Sequence, residues 1–598
     1  MNEITKSITF LKEYKQLKQA VDEGKTPVLA VGLSAIHKAH LAAALGLDTG
    51  RPVLVLTDDD NAANRFAADL RGFSERDIVQ LPSRELVMAD VVGVSRGYEQ
   101  RRLAALDELT EAHFAVASVQ AAAQRTMPPE ALKAAIVSLA TGETAPLDEL
   151  AQSLTRAGYE RCVQVEGTGQ FSIRGGILDV FPPQAEHPYR VEFWDDEIDS
   201  ISTFDVGSQR RLEQCECLRC LPCMESIPAL AKGGAAGLAK AVLALTSTRR
   251  KKQHADLQTN LERDAERLRE TGSLPAADKY MPLIYPEMAT AFDYLPENAI
   301  VIIEDTPRLR DAVRDFHARV ADDVTALLER GEMPPNLGEY ALDFVGVCGV
   351  KRQILRLDSF LNNVAELTPQ HLENFIANQM NAYGGNLDMA SADIRSYTEQ
   401  GRAVAVVCGS ALRCQNMLDA LTDTGLNVKI SDLLPKGGCV NIMEGTLSAG
   451  FEYPDLGLVV MTEGQVLARR KKTQVKKSNR DKVKSYTDLT PGDLVVHEHH
   501  GIGRFIGMER MTVDGSERDF IKIAFAGTDF LYVPATSLDL ISKYIGGGDN
   551  ERVRLNKLGG ADWSKAKARA KAAAKELAEG LIKLYAERAK VKGYAFPP

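Results

Sequence analysis

The chain has 598 residues, 44% of them hydrophobic and 26% charged, with a formal net charge of −10. That length calls for about four domains of ordinary size, and the acidic balance excludes a protein that grips nucleic acid by bulk charge. No apolar run is long enough for a membrane span, Lys6, Lys12, Glu13 and Lys15 break any signal-peptide pattern, and nine cysteines in so long a chain do not form a disulfide framework, so a cytoplasmic protein with no membrane contact is expected.

Residues 1–128 alternate apolar strands with helical patterns, the rhythm of a parallel α/β sheet. Val53 to Thr57 and Phe114 to Ser118 read as buried strands, and Asn61 to Leu70 and Arg96 to Leu109 as helices. The strand Pro27 to Val31 leads into Gly32-Leu33-Ser34-Ala35-Ile36-His37-Lys38-Ala39. The phosphate-binding pattern is G-x-x-x-x-G-K-[ST] after a strand. Gly32 and Lys38 are in register with it. His37 replaces the second glycine, where an imidazole would crowd the nest of backbone N–H groups. Ala39 replaces the hydroxyl that would ligate magnesium.

A change of character marks an inserted α+β domain, read as 129–210. A helix from Leu147 to Ala157 precedes short strands, Arg161 to Val165, Phe171 to Phe181 and Tyr189 to Trp194, separated by Gly167, Gly169, Pro182 and Pro183. Arg190 and Trp194 are an even number apart and share a strand face, with Arg174 on a neighbouring strand. Arginine and an aromatic on one exposed face form a hot-spot composition. The alternative pairs the arginines with Asp195, Asp196 or Glu197 and half-buries the tryptophan. Cys215, Cys217, Cys220 and Cys223 lack the separated knuckles of a zinc ribbon, so they read as small apolar residues and not as a metal site.

The core resumes over 211–345. Its strand Ala299 to Ile303 ends in Glu304-Asp305, the reverse of the Asp-Glu that a motor strand uses for metal and water. Any buried parallel strand with an acidic edge would look similar. Beside the altered loop, it predicts a degenerate P-loop-type core with no catalytic residue, metal or cofactor of its own. Residues 346–465 read as a second small α/β domain, with strands Val404 to Cys408, Val440 to Met443 and Leu456 to Met461 and a helix Ala411 to Leu421. The basic stretch 466–488 reads as a solvated linker or a site of transient phosphate contact.

Residues 489–546 read as a small open β-barrel, with a hairpin turn at Asp514-Gly515. In Asp519 to Phe525, Ile521, Ile523 and Phe525 share a face. Such a strand either fills its own barrel or adds to the sheet edge of another protein. His497 and His499 share a strand face, but no third ligand completes a metal site. Residues 547–598 read as a connecting helix whose stripe Leu577, Leu581, Leu584 and Tyr585 needs a partner surface, and the halt at Pro597-Pro598 suggests a longer protein.

Three stretches resemble the bacterial transcription-repair coupling factors (Mfd). They are Gln170 to Pro182 with Pro188 to Ser200, then Pro491 to Phe505, then Leu531-Tyr532-Val533-Pro534 with Leu555 to Trp563. The first is shared with the excision-repair protein UvrB. The resemblance implies a UvrB-like module up to about Val345 whose nucleotide site, Gly32, His37, Lys38, Ala39, Glu304 and Asp305, has decayed. It implies an insert that recruits UvrA through Arg174, Arg190 and Trp194. A Tudor- or CarD-like RNA polymerase-interacting domain would grip the polymerase β subunit through Ile521, Lys522 and Ile523. ATP, magnesium and most DNA contacts would belong to a translocase motor beyond Pro598. The expected function is an adaptor between stalled polymerase and nucleotide excision repair. A UvrB-like ATPase or helicase subunit and a CarD-like transcription regulator are the alternatives.

Overall fold

The computed structural model describes residues 3–89, 96–245, 255–335, 337–380, 382–434 and 438–467, and then 492–497, 500–513, 516–527, 529–534, 541–544, 555–557, Trp563, Lys565 and Arg569. The chain divides into two compact units, 1–469 and 470–598.

The centre of the first unit is a seven-stranded sheet in the order His371–Asn374, Val28–Val31, Gln353–Leu357, Ile300–Glu304, Val53–Thr57, Phe114–Ser118, Ile78–Leu81. Every neighbouring pair is parallel. Leu54, Leu56, Val301 and Ile303 face a core that includes Leu103 and Leu106 of the helix Gly97–Leu109. Val53, Val55, Ile300 and Ile302 face the opposite core, with the helices Ala35–Thr49 and Asp60–Phe73. Burial on both faces is why Val53–Thr57 and Ile300–Glu304 open on unbroken aliphatic runs. The expected boundary at 345/346 falls inside this sheet, because Gln353–Leu357 and His371–Asn374 lie on the two sides of Val28–Val31.

The insert has its own six-stranded sheet, ordered Arg211–Cys215, Glu197–Phe204, Tyr189–Trp194, Ile177–Val180, Gln170–Arg174, Glu160–Arg161. One face packs on Leu150 and Leu154 of the helix Leu147–Arg156 through Phe171, Leu178, Val180, Val191 and Ile201. The expected end at 210 is too early. Arg211–Cys215 belongs to the sheet, and Cys217–Cys220 pairs antiparallel with Val137–Ala140, closing the neck where the chain leaves and returns. Cys220 and Cys223 are buried in this core, and Cys217 is exposed.

A buried ionic cluster anchors that neck to the first sheet. Arg84 Nε lies 2.8 Å from Glu225 Oε1, Arg84 Nη1 2.6 Å from Asp278 Oδ2, and Arg102 Nε 3.1 Å from Glu225 Oε1. Thr126 donates to the second Glu225 oxygen at 2.6 Å. Breaking one partner of such a cluster strands a buried charge and costs about 3–5 kcal/mol.

The small α/β domain is a six-stranded sheet, Asn378–Gln379, Phe451–Tyr453, Leu458–Thr462, Ala403–Cys408, Val440–Glu444, Val428–Ile430. Phe451, Tyr453, Val407 and Met443 join the same hydrophobic cluster as Ile36, Phe66 and Phe73, so this domain shares a core with the first sheet.

The second unit contains an antiparallel five-stranded sheet, Phe530–Pro534, Ser516–Ala524, Gly501–Val513, Leu494–His497, Ile541–Lys543. Val495, Phe505, Ile521, Ile523, Phe525, Val533 and Ile541 form its core. Asn556 bonds in both directions to Ile502, donating its N–H to the Ile502 carbonyl at 2.9 Å and accepting from the Ile502 N–H at 2.7 Å. The expected linker basic residues, the apolar stripe of the connecting helix and His499 lie outside the described residues.

Candidate functional site

The altered loop packs against its own chain. The helix after Val28–Val31 already begins at Ala35, so His37, Lys38 and Ala39 are helical and buried. Gly32 has φ of +83°, the left-handed conformation that a tight strand-to-helix turn requires, and a Cβ placed there would lie 2.2 Å from the Phe375 carbonyl oxygen. The chain that follows His371–Asn374 therefore packs directly on Gly32 and leaves no room there for a side chain. The His37 ring sits edge-on to Phe451 and Tyr453, with centroids at 5.4 and 5.0 Å, and its Nδ1 is 2.7 Å from Ser34 Oγ. Burial pulls its pKa down to about 4 and keeps it neutral.

Lys38 Nζ approaches Glu304 Oε1 at 3.8 Å. Burial raises the Glu304 pKa, and the Lys38 charge draws it partly back. Asp305 does not join them. It occupies the left-handed N-cap position of the helix Thr306–Glu329 at φ +59°, and its carboxylate accepts from Ser359 Oγ at 3.3 Å. Among the described residues, no cluster of three or more His, Cys, Asp or Glu side chains forms a metal set.

The insert presents the open face of its sheet. Arg190, Glu192 and Trp194 alternate onto it from Tyr189–Trp194, while Val191 turns into the core. Trp194 is 82% exposed, at the start of a tight turn in which Asp195 has φ of +57°. Arg174 and Arg190 both bind Asp179, and neither pairs with Asp195, Asp196 or Glu197 among the described residues. Glu192 is held by Arg211, whose hydrogen bond lowers the carboxyl's pKa. Asp179 was not legible as a site residue, because Ile177-Leu178-Asp179-Val180 reads as an apolar strand.

Of the two readings of the expected polymerase strand, the structure bears out the one in which it fills its own module. Ser516–Ala524 has a hydrogen-bonded neighbour on each side, Gly501–Val513 and Phe530–Pro534, so it is not an edge. Ile521 and Ile523 are fully buried and fill the module's core. Lys522 alone of the three faces outward. Its Nζ is 2.8 Å from Glu509 Oε2 and lies over the rings of Phe530 and Tyr532 at 4.9 and 5.3 Å. Phe530–Pro534 is the outer strand, with Phe530 49% exposed. Its terminal proline was the available signal, since proline within sheets is confined to edges and strand ends.

Two families match parts of the chain: the UvrB interaction domain over residues 137–225, and the CarD-like/TRCF RID domain over residues 489–545. The chain is 32% identical to a transcription-repair-coupling factor of Bacillus subtilis (strain 168), covering 99% of this chain and 51% of that protein. It is 27% identical to transcription-repair-coupling factors of Staphylococcus aureus (strain USA300), covering 98% and 51%, and of Staphylococcus epidermidis (strain RP62A), covering 97% and 50%. The chain thus spans about half the length of the curated relatives it matches. Along nearly all of its own length it is related to the transcription-repair-coupling factors, and it contains a UvrB interaction domain and a CarD-like/TRCF RID domain.

Proposed function

We propose that this chain is the docking portion of a transcription-repair-coupling factor. The module at 489–545 binds stalled RNA polymerase through its β subunit, and the insert at 137–225 recruits UvrA for repair of the transcribed strand. The observation that carries this reading is the open sheet face of the insert, where Trp194 projects into solvent beside arginines held on a buried carboxylate. A large exposed aromatic next to fixed cations is the composition of an interface hot spot. For the polymerase, the outer strand Phe530–Pro534 supports docking by strand addition, backbone bonds giving affinity and side chains such as Phe530 and Lys522 giving choice.

In this reading the chain turns over no nucleotide. His37 and Ala39 lack the groups that cradle phosphate and ligate magnesium, and the Phe375 carbonyl packs tightly against Gly32. ATP-driven translocation and most DNA contact belong to parts of the relatives that this chain does not span, and the setting is cytoplasmic. The test is a pull-down of the chain against UvrA and polymerase β separately. Deleting 489–545 should abolish polymerase capture and leave UvrA capture intact. Capture of polymerase but not of UvrA by the intact chain would point to a regulator built on the β module alone, and capture of neither would sink the adaptor reading.

A further inference from the structure

On the open face of the insert, two arginines share one carboxylate. Register places Ser172, Asp179, Arg190 and Ser202 in one row across four strands, and Arg174, Ile177 and Glu192 in the next. Asp179 is 1% exposed although it carries a carboxylate on this outer face. Arg190 meets it side-on within the row, Nε to Oδ1 at 2.7 Å and Nη2 to Oδ2 at 2.8 Å, a bidentate pair. The flat face of the Arg190 guanidinium covers the Phe204 ring at 4.5 Å, and Nη1 reaches the Gln209 carbonyl at 3.4 Å. With its side chain only 16% exposed, Arg190 has its donors engaged inside the sheet.

Arg174 is held differently. It arrives from the next row and gives one bond, Nη2 to Asp179 Oδ2 at 2.7 Å. Its side chain stays 49% exposed, and among the described residues its Nε and Nη1 donate to no protein acceptor. The two arginines therefore cannot serve a partner in the same way. One is fixed in the sheet and the other still has donors to offer.

We propose that Asp179 is the positioning residue of this docking face: it locks Arg190 into the sheet and, through a single bond, aims the free donors of Arg174 at a carboxylate of the partner. The proposal rests on the reading of the face as the UvrA contact. The fork of an arginine matches a carboxylate in a way that lysine does not, so the complementary patch is an acidic side chain beside an apolar cavity that takes the Trp194 indole. Arg174, Arg190 and Asp179 together carry one net positive charge, and Glu192 in the next row is already paired with Arg211. Asp179 itself touches no partner. Its effect is transmitted through Arg174.

The full chain carrying Asp179→Asn, Arg174→Ala or both is titrated into labelled UvrA, with Trp194→Ala as a control on the face and circular-dichroism melting as a control on folding. Asp179→Asn should weaken binding about tenfold, and Arg174→Ala by a similar factor. The double variant should bind no worse than the weaker single variant, because both substitutions remove the same aimed contact. A merely structural role would make the losses multiply, and that result, or wild-type affinity for Asp179→Asn, overturns the proposal. If Trp194→Ala weakens binding while Asp179→Asn does not, only the positioning role fails. If both bind as wild type, the face itself has been misread. Should Asp179→Asn melt the insert, Arg174→Lys decides: lysine cannot hold Asp179 and still present a fork, so retained affinity overturns the proposal.

Discussion

Truncating Trp194 to alanine should weaken capture of UvrA and leave the free chain as stable as before. A fully covered tryptophan side chain buries roughly 150–250 Å². Trp194 is 82% exposed in the free chain, so docking can cover on the order of 150 Å² more. At about 25 cal/mol per Å² that area corresponds to roughly 4 kcal/mol. Ordering the indole and imperfect pairing of its N–H reduce the measurable loss to about 2–3 kcal/mol, a rise in Kd of about 30- to 150-fold. The melting curve should shift by less than about 0.5 kcal/mol of stability, since the side chain packs on little in the free chain. Fluorescence anisotropy with labelled UvrA measures the first quantity and calorimetry the second. An affinity within about threefold of wild type, with the fold intact, would refute the assignment of this face.

Other substitutions separate the remaining assignments. Ile521→Arg puts a charge into the core of the β module and should unfold it at a cost of several kcal/mol, seen as lost β signal in circular dichroism, whereas Phe530→Ala should keep the fold and weaken polymerase β binding; a wild-type melt for Ile521→Arg would contradict the core placement. Lys38→Ala leaves Glu304 without its nearby cation and should destabilise the first unit by about 1–3 kcal/mol at pH 7. The sign with pH follows from the raised Glu304 pKa: the folded state binds the proton more tightly than the unfolded one, so stability falls as pH rises from 4.5 toward the folded value. Removing Lys38 extends that fall toward neutrality, so part of the variant's deficit should disappear on acidification, and a deficit that is constant with pH would refute the coupling. Restoring the loop residues with His37→Gly and Ala39→Thr should still give no magnesium-dependent binding of a fluorescent ATP analogue, because Lys38 is buried against Glu304 and position 39 is fully covered; saturable binding would show that the side chains alone had blocked the site.

Much of the α/β architecture was legible because doubly buried strands leave an unmistakable trace. Val53–Thr57, Phe114–Ser118 and Ile300–Glu304 are almost wholly apolar, as strands covered on both faces are. The outermost strand His371–Asn374 was not legible. It alternates between half-buried and exposed, as an edge strand can, and its pairing with Val28–Val31 spans more than three hundred residues of chain, which no local pattern encodes. The same limit governed the β module. Alternation showed correctly that Ile521, Ile523 and Phe525 share a face, but alternation alone cannot say whether that face looks inward or which strand is last in the sheet. At the insert, the shared sheet face of Arg190 and Trp194 was readable from spacing. The carboxylate that organises the arginines was not, because its function comes from two strands converging on it.

The pairing of Val137–Ala140 with Cys217–Cys220 has a wider meaning for how such a protein can change. The two crossings of the chain run side by side and are stitched together before they reach the parent sheet. A lobe tied off in this way is a cassette: it can be lifted from one scaffold and grafted onto another with a single seam to repair. The buried Glu225 just past that seam, gripped by Arg84 and Arg102, is the joint that any transplant would have to rebuild.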